Sequence, residues 1–426
     1  MRDGGARLHV AGIDLTGVVE TLAATAPAAD AAAAFPRAGI RAVHEAGLLE
    51  LTVAERYGGR ALPLGDVARL IAALGRGDPS VALISLMTLS SHLNQAQHNH
   101  WPEEVYRRVL AESGRGPVLL NAARGEPDLG SPARGGLPQT RARRTARGWS
   151  ISGTKRFVTG CEGLSYFLVW ASTDETPQRV GTFIVPAGTP GIRIIETWKS
   201  LGLRASGSHD VAFDGVEVGR DDVIGMTSAD DAGQDNRAHA AVTLVLTALY
   251  LGVAEAAQDG FLAFAEGRVP ANLGYPIART ERFVTLAGEI DLLIGGARQL
   301  IFDALDQEAG EPERLLRARL LAGRQLRQAV QLAVGALGNP GLSVTTGLER
   351  HFRDIQSVLV HAPQEDTVVG ILGRAAFSAR ADAAAVPHGK ERRQPAVAAD
   401  EPTFADLQPP SRLPHEGAAR TVRISS

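Results

Sequence analysis

The chain has 426 residues, 44% of them apolar and 21% charged, with a formal net charge of −3. That length supports two or three domains and a large core. The near-neutral balance gives no electrostatic reason to expect nucleic acid or an anionic membrane as a partner. A single cysteine, Cys161, excludes an intramolecular disulfide and fits a reducing compartment. No signal-peptide pattern opens the chain, and no apolar run reaches the ~20 residues of a membrane span. The expected location is cytoplasmic, without a metal site. The short basic clusters Arg141–Arg144 and Lys390–Arg393 read as solvated surface.

In chain order, residues 1–115 read as a helical domain. Val18–Ala34 is alanine-rich; Arg37–Leu48 sets Ile40, Val43, Ala46 and Leu48 near one face; Leu64–Leu74 and Ser80–Gln97 keep the same period. Turn signals at Tyr57-Gly58-Gly59 and Asp78-Pro79 separate them. Residues 116–228 change texture. Trp149–Ser152, Tyr166–Ala171, Gly181–Val185 and Val211–Val218 are short β-prone runs cut by Gly, Pro, Asp and Asn, which predicts an antiparallel β-barrel or sandwich. Residues 229–387 return to the helical period, with Ala238–Ala265, Thr280–Gln307, Glu313–Leu337 and Gly347–Leu359 long enough for a bundle. Residues 388–426, with five prolines from Pro395 to Pro414, read as a disordered tail.

Four segments carry more than texture. Gly125-Glu126-Pro127-Asp128-Leu129-Gly130-Ser131 is a polar turn ending in a hydroxyl. Gly153–Gly160 places a flat aromatic, Phe157, and a hydroxyl, Thr159, on one strand. Trp198–Ser208 leads into Val211–Val218, and Gly338-Asn339-Pro340-Gly341 leads through Leu348-Glu349-Arg350 and Arg353-Asp354 to His361-Ala362-Pro363-Gln364. Together they resemble the acyl-CoA dehydrogenase superfamily, from about Leu48 to about Ala376. The resemblance implies an α+β fold of three parts: an N-terminal helical domain, a central antiparallel β-barrel and a C-terminal helical bundle. It also implies a flavin, FAD with FMN as the alternative.

Carried over residue by residue, the resemblance gives Ser131 the flavin pyrophosphate. It lays Phe157, Val158 and Thr159 along the ring, and puts Arg268 and Gly338 at the dinucleotide of a neighbouring subunit. A homodimer or homotetramer is therefore expected. The bland alternatives are a polar turn for Ser131 and a core position for Phe157. Strict alignment puts Pro270 at the arginine position, and a glutamine of the family is replaced by Gly335. No GxGxxG stands at a strand–helix junction, so a nicotinamide site is not expected and reducing equivalents would come from a separate flavin reductase.

The family's carboxylate base is missing. Its loop position is Ala362 and its alternative helix position, ten residues before Gly252, is Val242. His361-Ala362-Pro363 instead resembles the loop of the flavin-dependent monooxygenase branch, which includes dibenzothiophene monooxygenase. That branch implies three polar groups converging on one flavin face: His361, His92 and Thr159. His92 has the competing reading of a packed or surface helix histidine, with His98 and His100 nearby. The expected activity is a reduced-flavin-dependent monooxygenase or N-oxygenase acting on a small organic substrate. The alternatives are an acyl-thioester dehydrogenase or oxidase with the base displaced to Glu365 or Asp366, which also read as first-turn helix acids, and a non-catalytic flavin- or thioester-binding protein.

Overall fold

The computed structural model describes residues 8–128, 136–229, 236–307 and 311–385. A two-residue hairpin, β1 (His9–Val10) with β2 (Ile13–Asp14), precedes five helices: α1 (Thr16–Ala32), α2 (Arg37–Glu45), α3 (Leu64–Gly77), α4 (Pro79–His98) and α5 (Glu103–Glu112). Helix α4 starts where the sequence dictates. Asp78 caps it by accepting from Ser80 N at 2.8 Å and Val81 N at 3.3 Å, and Pro79 occupies the first turn, where its missing N–H costs nothing.

The central part holds β3 (Leu120–Ala123), β4 (Arg141–Arg144), β5 (Gly148–Val158), β6 (Tyr166–Thr173), β7 (Arg179–Pro186), β8 (Ile192–Ile195), β9 (His209–Gly219) and β10 (Val223–Ser228). They form one sheet in the order β10-β7-β6-β4-β5-β9-β8, with β3 also on β6. Most pairings are antiparallel, as expected, but β3 and β4 share one edge of β6 end to end and both run parallel to it. The basic cluster Arg141–Arg144 is a strand inside this sheet: Ala142 is buried while Arg144 lies over the Trp149 ring, 4.2 Å from its centroid.

A buried ion pair locks these strands together. Lys155 Nζ, on β5, donates to Glu126 Oε1 at 2.7 Å and to the Trp170 carbonyl on β6 at 2.5 Å. Glu126 also accepts from Gln139 N, Thr140 N and the Thr140 hydroxyl. Both side chains are essentially inaccessible, at 0% and 1% exposure. Burial opposes the Glu126 charge, but the bonds from Lys155 and Thr140 outweigh it and hold the carboxyl below its usual range.

The C-terminal part comprises α6 (Asn236–Gly267), α7 (Glu281–Leu305), α8 (Pro312–Ala336), α9 (Leu348–Ile355) and α10 (Glu365–Ala385). Helix α6 corrects one expectation: by length and composition it is apolar enough to cross a membrane, yet 78% of its apolar window is buried inside the fold. It is the central core helix, and it crosses α3 at unusually close range. A Cβ on Gly252 would sit 2.0 Å from the Ala72 carbonyl oxygen, and one on Gly75 2.4 Å from that of Leu249, so only glycine permits the approach. Arg353 on α9 ties the bundle back to α1 through Asp30 at 2.6 Å. The proline-rich stretch 388–426 lies outside the described residues.

Removing one member of the buried pair leaves the other charged and unpartnered. We therefore expect Lys155→Met to cost about 3–5 kcal/mol of stability. Urea denaturation of that variant, beside a Glu126→Leu/Lys155→Met double variant, provides the check. The double variant should recover part of the loss; if it is no better than the single, the unpaired charge is not the cause.

Candidate active site

The site is organised around the end of β5. Two residues beyond Lys155, Phe157 adopts φ +55°, rare for a bulky residue, at a point where the β5–β9 register shifts. The residue is 62% exposed; its ring meets the edge of Trp198, with centroids 6.3 Å apart, and the Arg156 guanidinium lies over it, 5.0 Å from the centroid. An exposed aromatic in a sparsely populated backbone conformation at a strand end is a candidate for a binding role. This excludes the core reading of Phe157. Val158, buried, is in register with His209. Thr159 is clamped from both sides: Asn121 Nδ2 donates to its carbonyl at 2.9 Å, and its hydroxyl lies 3.1 Å from Ser208 Oγ, which in turn contacts Ser206 Oγ.

His361 sits on the loop between α9 and α10, half-buried. Its Nδ1 is 2.8 Å from the Tyr250 hydroxyl on α6, and its carbonyl accepts from Arg319 Nη2 on α8 at 2.6 Å. Burial, with Arg319 assisting, pushes the imidazole down to about 4, so it is neutral near pH 7. Burial drives the Tyr250 phenol far above its ordinary value, so it is protonated near pH 7. The phenol and Nδ1 share one hydrogen bond, in which the phenol donates when the ring proton sits on Nε2. Sequence reasoning gave His361 without this partner; Tyr250 reads simply as one apolar residue in a long helix.

Each of the three polar groups expected at one flavin face has its own partner in the fold. His92, on α4, is buried with Nδ1 2.9 Å from the Tyr106 hydroxyl, in an aromatic cluster that includes Tyr57 and Trp101. Burial lowers it to about 4. Among the described residues, no hydrogen bond or ring contact joins His92 to Thr159 or His361. Its immediate role is the packed-histidine one, because Tyr106 satisfies its ring nitrogen inside the core.

The displaced-base candidates are also accounted for. Glu365 pairs with Arg324 on α8, both side chains substantially exposed, and Asp366 is exposed. Asp354 is fully buried and accepts from Leu203 N at 2.7 Å; burial pushes it up to about 7 despite that bond and nearby Arg350. Its carboxylate is committed to holding the segment that follows Trp198. Arg268 is exposed at the end of α6 with no ion pair among the described residues. Gly338 takes φ +64°, a conformation suited to glycine. Beside Gly335, a groove of about 530 Å³ runs between α7 and α8. Ser131 lies outside the described residues.

The fold is thus one of three parts, a helical domain, a central β domain and a C-terminal helical domain. The chain belongs to the acyl-CoA dehydrogenase family, a family of flavin-dependent oxidoreductases. Its N-terminal, middle and C-terminal domain models match residues 17–116, 121–216 and 244–365. The provisionally named acyl-CoA dehydrogenase YdbM of Bacillus subtilis (strain 168) is 31% identical over 83% of this chain and 93% of its own. The structure of KijD3 in complex with FMN and a dTDP-linked amino-keto sugar superposes with a TM-score of 0.75 at 25% identity, over 85% of this chain and 92% of that one. The dibenzothiophene monooxygenase TdsC from Paenibacillus sp. A11-2 shares the fold, with a TM-score of 0.73 at 21% identity over 85% and 96% of the two chains.

The histidines give this site a pH signature. Unfolded, His361 and His92 take up protons near pH 6.5; folded, both hold out to about 4. Their contribution is complete above about 6.5 and is lost as the pH falls through about 4. Asp354 works in the opposite sense, since its carboxyl is raised. The expected outcome is therefore a difference: between pH 7 and 4.5 the melting temperature of wild type should fall more than that of His361→Gln. Parallel curves would mean that His361 is not held neutral by the fold.

Proposed function

We propose that this chain is a reduced-flavin-dependent monooxygenase or N-oxygenase acting on a small organic substrate. The observation that carries the reading is the exchange at the catalytic loop: a neutral, anchored His361 stands beside Ala362, and Val242 fills the alternative base position. Alanine and valine cannot take a proton. Dehydrogenation of a thioester needs a base for the α-proton, worth ~10²–10⁴-fold, and the nearby carboxylates are engaged elsewhere, Glu365 with Arg324 and Asp354 with Leu203 N.

The residues present fit a flavin. Phe157, Val158 and Thr159 would hold the flavin ring, and Ser131, Gly338 and a partner copy's arginine at position 268 would serve the phosphate side. FMN or FAD both suit this arrangement; Gly335 and Pro270, in place of the dinucleotide-binding residues, favour the shorter cofactor, as do the FMN complex of KijD3 and its likeness to this fold. The chemistry supplied by a bound, reduced flavin is a two-electron transfer to dioxygen, one oxygen atom passing to substrate and the other leaving as water. His361 Nε2–H then serves as a hydrogen-bond donor at the oxygen side, oriented by Tyr250 and by Arg319 on its carbonyl. Trp198, at the edge of the Phe157 ring, helps to exclude water. Electrons come from a separate reductase, and the active form is a homodimer or homotetramer.

The competing reading, thioester dehydrogenation, has the likeness to YdbM behind it. One experiment separates the two. Protein loaded with FMN and reduced photochemically should consume oxygen on aeration and, with a screened substrate set, incorporate one ¹⁸O atom per turnover. His361→Asn should lower that turnover by about 10²-fold or more while flavin binding stays unchanged. Phe157→Ala should weaken FMN about tenfold by fluorescence titration, the loss of one aromatic stacking contact. Bleaching of the bound flavin by butyryl-CoA under strict anaerobiosis would sink the proposal.

A further inference from the structure

Behind Thr159 the chain buries a line of three hydroxyls. Thr159 Oγ1 lies 3.1 Å from Ser208 Oγ, and Ser208 Oγ lies 2.9 Å from Ser206 Oγ. Exposure falls along the line, from 8% at Thr159 through 3% at Ser208 to 0% at Ser206. The backbones that carry them are pinned to each other. Asn121 Nδ2 donates to the Thr159 carbonyl at 2.9 Å, Gly160 N to the Ser206 carbonyl at 2.7 Å, and the Cys161 thiol to the Gly207 carbonyl at 3.2 Å. The turn that carries Ser206 is also held at its start, where Leu203 N donates to Asp354 at 2.7 Å. Among the described residues, the three hydroxyls have no hydrogen-bond partners but one another.

Each hydroxyl carries one hydrogen, and the two links of the line use two of the three. Burial decides where the spare one goes. If Thr159 donated to Ser208, the spare hydrogen would fall on Ser208 or Ser206, enclosed with no acceptor, and a buried donor left unpaired costs its full desolvation. If Ser206 donates to Ser208 and Ser208 to Thr159, the spare hydrogen falls on Thr159, the least buried of the three and two residues past the exposed Phe157. We propose that Ser206 and Ser208 are positioning residues that fix this order, so that Thr159 meets the flavin as a hydrogen-bond donor only. Each bond along the line polarises the next, which strengthens the donor at its end. The ligand atom at Thr159 must then carry a lone pair. The edge of an oxidised flavin ring offers two such atoms side by side, N5 and the oxygen on C4. The inference rests on the reading that Thr159 holds the flavin ring, and it adds to that site two residues from the segment between Trp198 and β9.

Two experiments on the full chain test it. Neutron diffraction from a perdeuterated crystal of the flavin-free protein reads the order of the line. Deuterium on Ser206 Oγ should point at Ser208, and deuterium on Ser208 Oγ at Thr159; deuterium on Thr159 Oγ1 pointing at Ser208 overturns the proposal. Isothermal titration with FMN, 5-deaza-FMN and 4-thio-FMN reads the consequence, since the first analogue lacks the N5 acceptor and the second carries a poor acceptor, sulfur, on C4. One of the two analogues should bind about tenfold more weakly than FMN, the scale of a donor left without its acceptor. Thr159→Val should close that gap, and Thr159→Ser should keep it. Ser208→Ala should narrow it to about threefold, because Thr159 then loses its incoming donor but not its own hydrogen. In the Thr159→Val background the same Ser208→Ala change should leave the affinities where they are. A Ser208→Ala variant that weakens FMN and both analogues equally, with or without the Thr159 hydroxyl, makes Ser208 a packing residue and overturns the proposal. So does equal binding of all three flavins to the wild type. If the neutron order is as expected and no flavin binds, the ordered hydroxyls stand and the flavin reading falls.

Discussion

The pair formed by Lys155 and Glu126 governs the geometry of this protein more than any other contact. Lys155 lies two residues before Phe157, and Glu126 two residues after Arg124. Burying the two charges is costly, and their mutual attraction with the Trp170 carbonyl and the Thr140 donors offsets that cost. The consequence is registration. The turn that carries Glu126 and the strand end that carries Phe157 are fixed against each other by one 2.7 Å contact, so neither can move without exposing a buried ion.

The second constraint is helical. Glycines at 75 and 252 let α6 lie against α3 at backbone contact distance, which sets the depth of α6 in the core. Tyr250, two residues earlier on α6, then delivers its hydroxyl to His361 Nδ1. Arg319 takes the carbonyl of the same residue from α8. A loop that would otherwise be free is therefore held by two helices at two atoms. This is the kind of support a donor needs if it is to be oriented before a substrate arrives. Arg353, bound to Asp30 on α1 and followed by Asp354 on Leu203 N, carries the same bracing across to the N-terminal helices and to the Trp198 segment.

Much of the fold was legible in the chain. The long helices α1, α3, α4, α6, α7 and α8 lie within a few residues of the windows their periodicity marks, because an apolar stripe must be buried wherever it occurs. The strands β5, β6, β7 and β9 were marked by β-branched and aromatic runs. The strands β3, β4, β8 and β10 were not singled out, for identifiable reasons. β4 reads Arg-Ala-Arg-Arg, β3 is Leu-Asn-Ala-Ala, and β10 carries a glycine at φ +56°. Their strand character comes from the partners they hydrogen-bond, not from their own side chains. Helix α5 was missed because its buried face is only Val105, Tyr106 and Val109.

For the site, the sequence alone determined residue chemistry: an alanine and a valine where a base would stand, a histidine one position before Ala362, an aromatic and a hydroxyl two apart on one strand. Those are properties of single positions and survive any folding. What only the tertiary structure decided is which groups meet. Tyr250 and His361 are 111 positions apart, and His92 turned out to belong with Tyr106 although its place on the helix suggested the flavin. Arg319 reaches the His361 carbonyl across 42 positions, and Asp354 reaches Leu203 N across 151. These meetings are created by packing, since an electrostatic environment is a property of space and not of the order of residues along a chain.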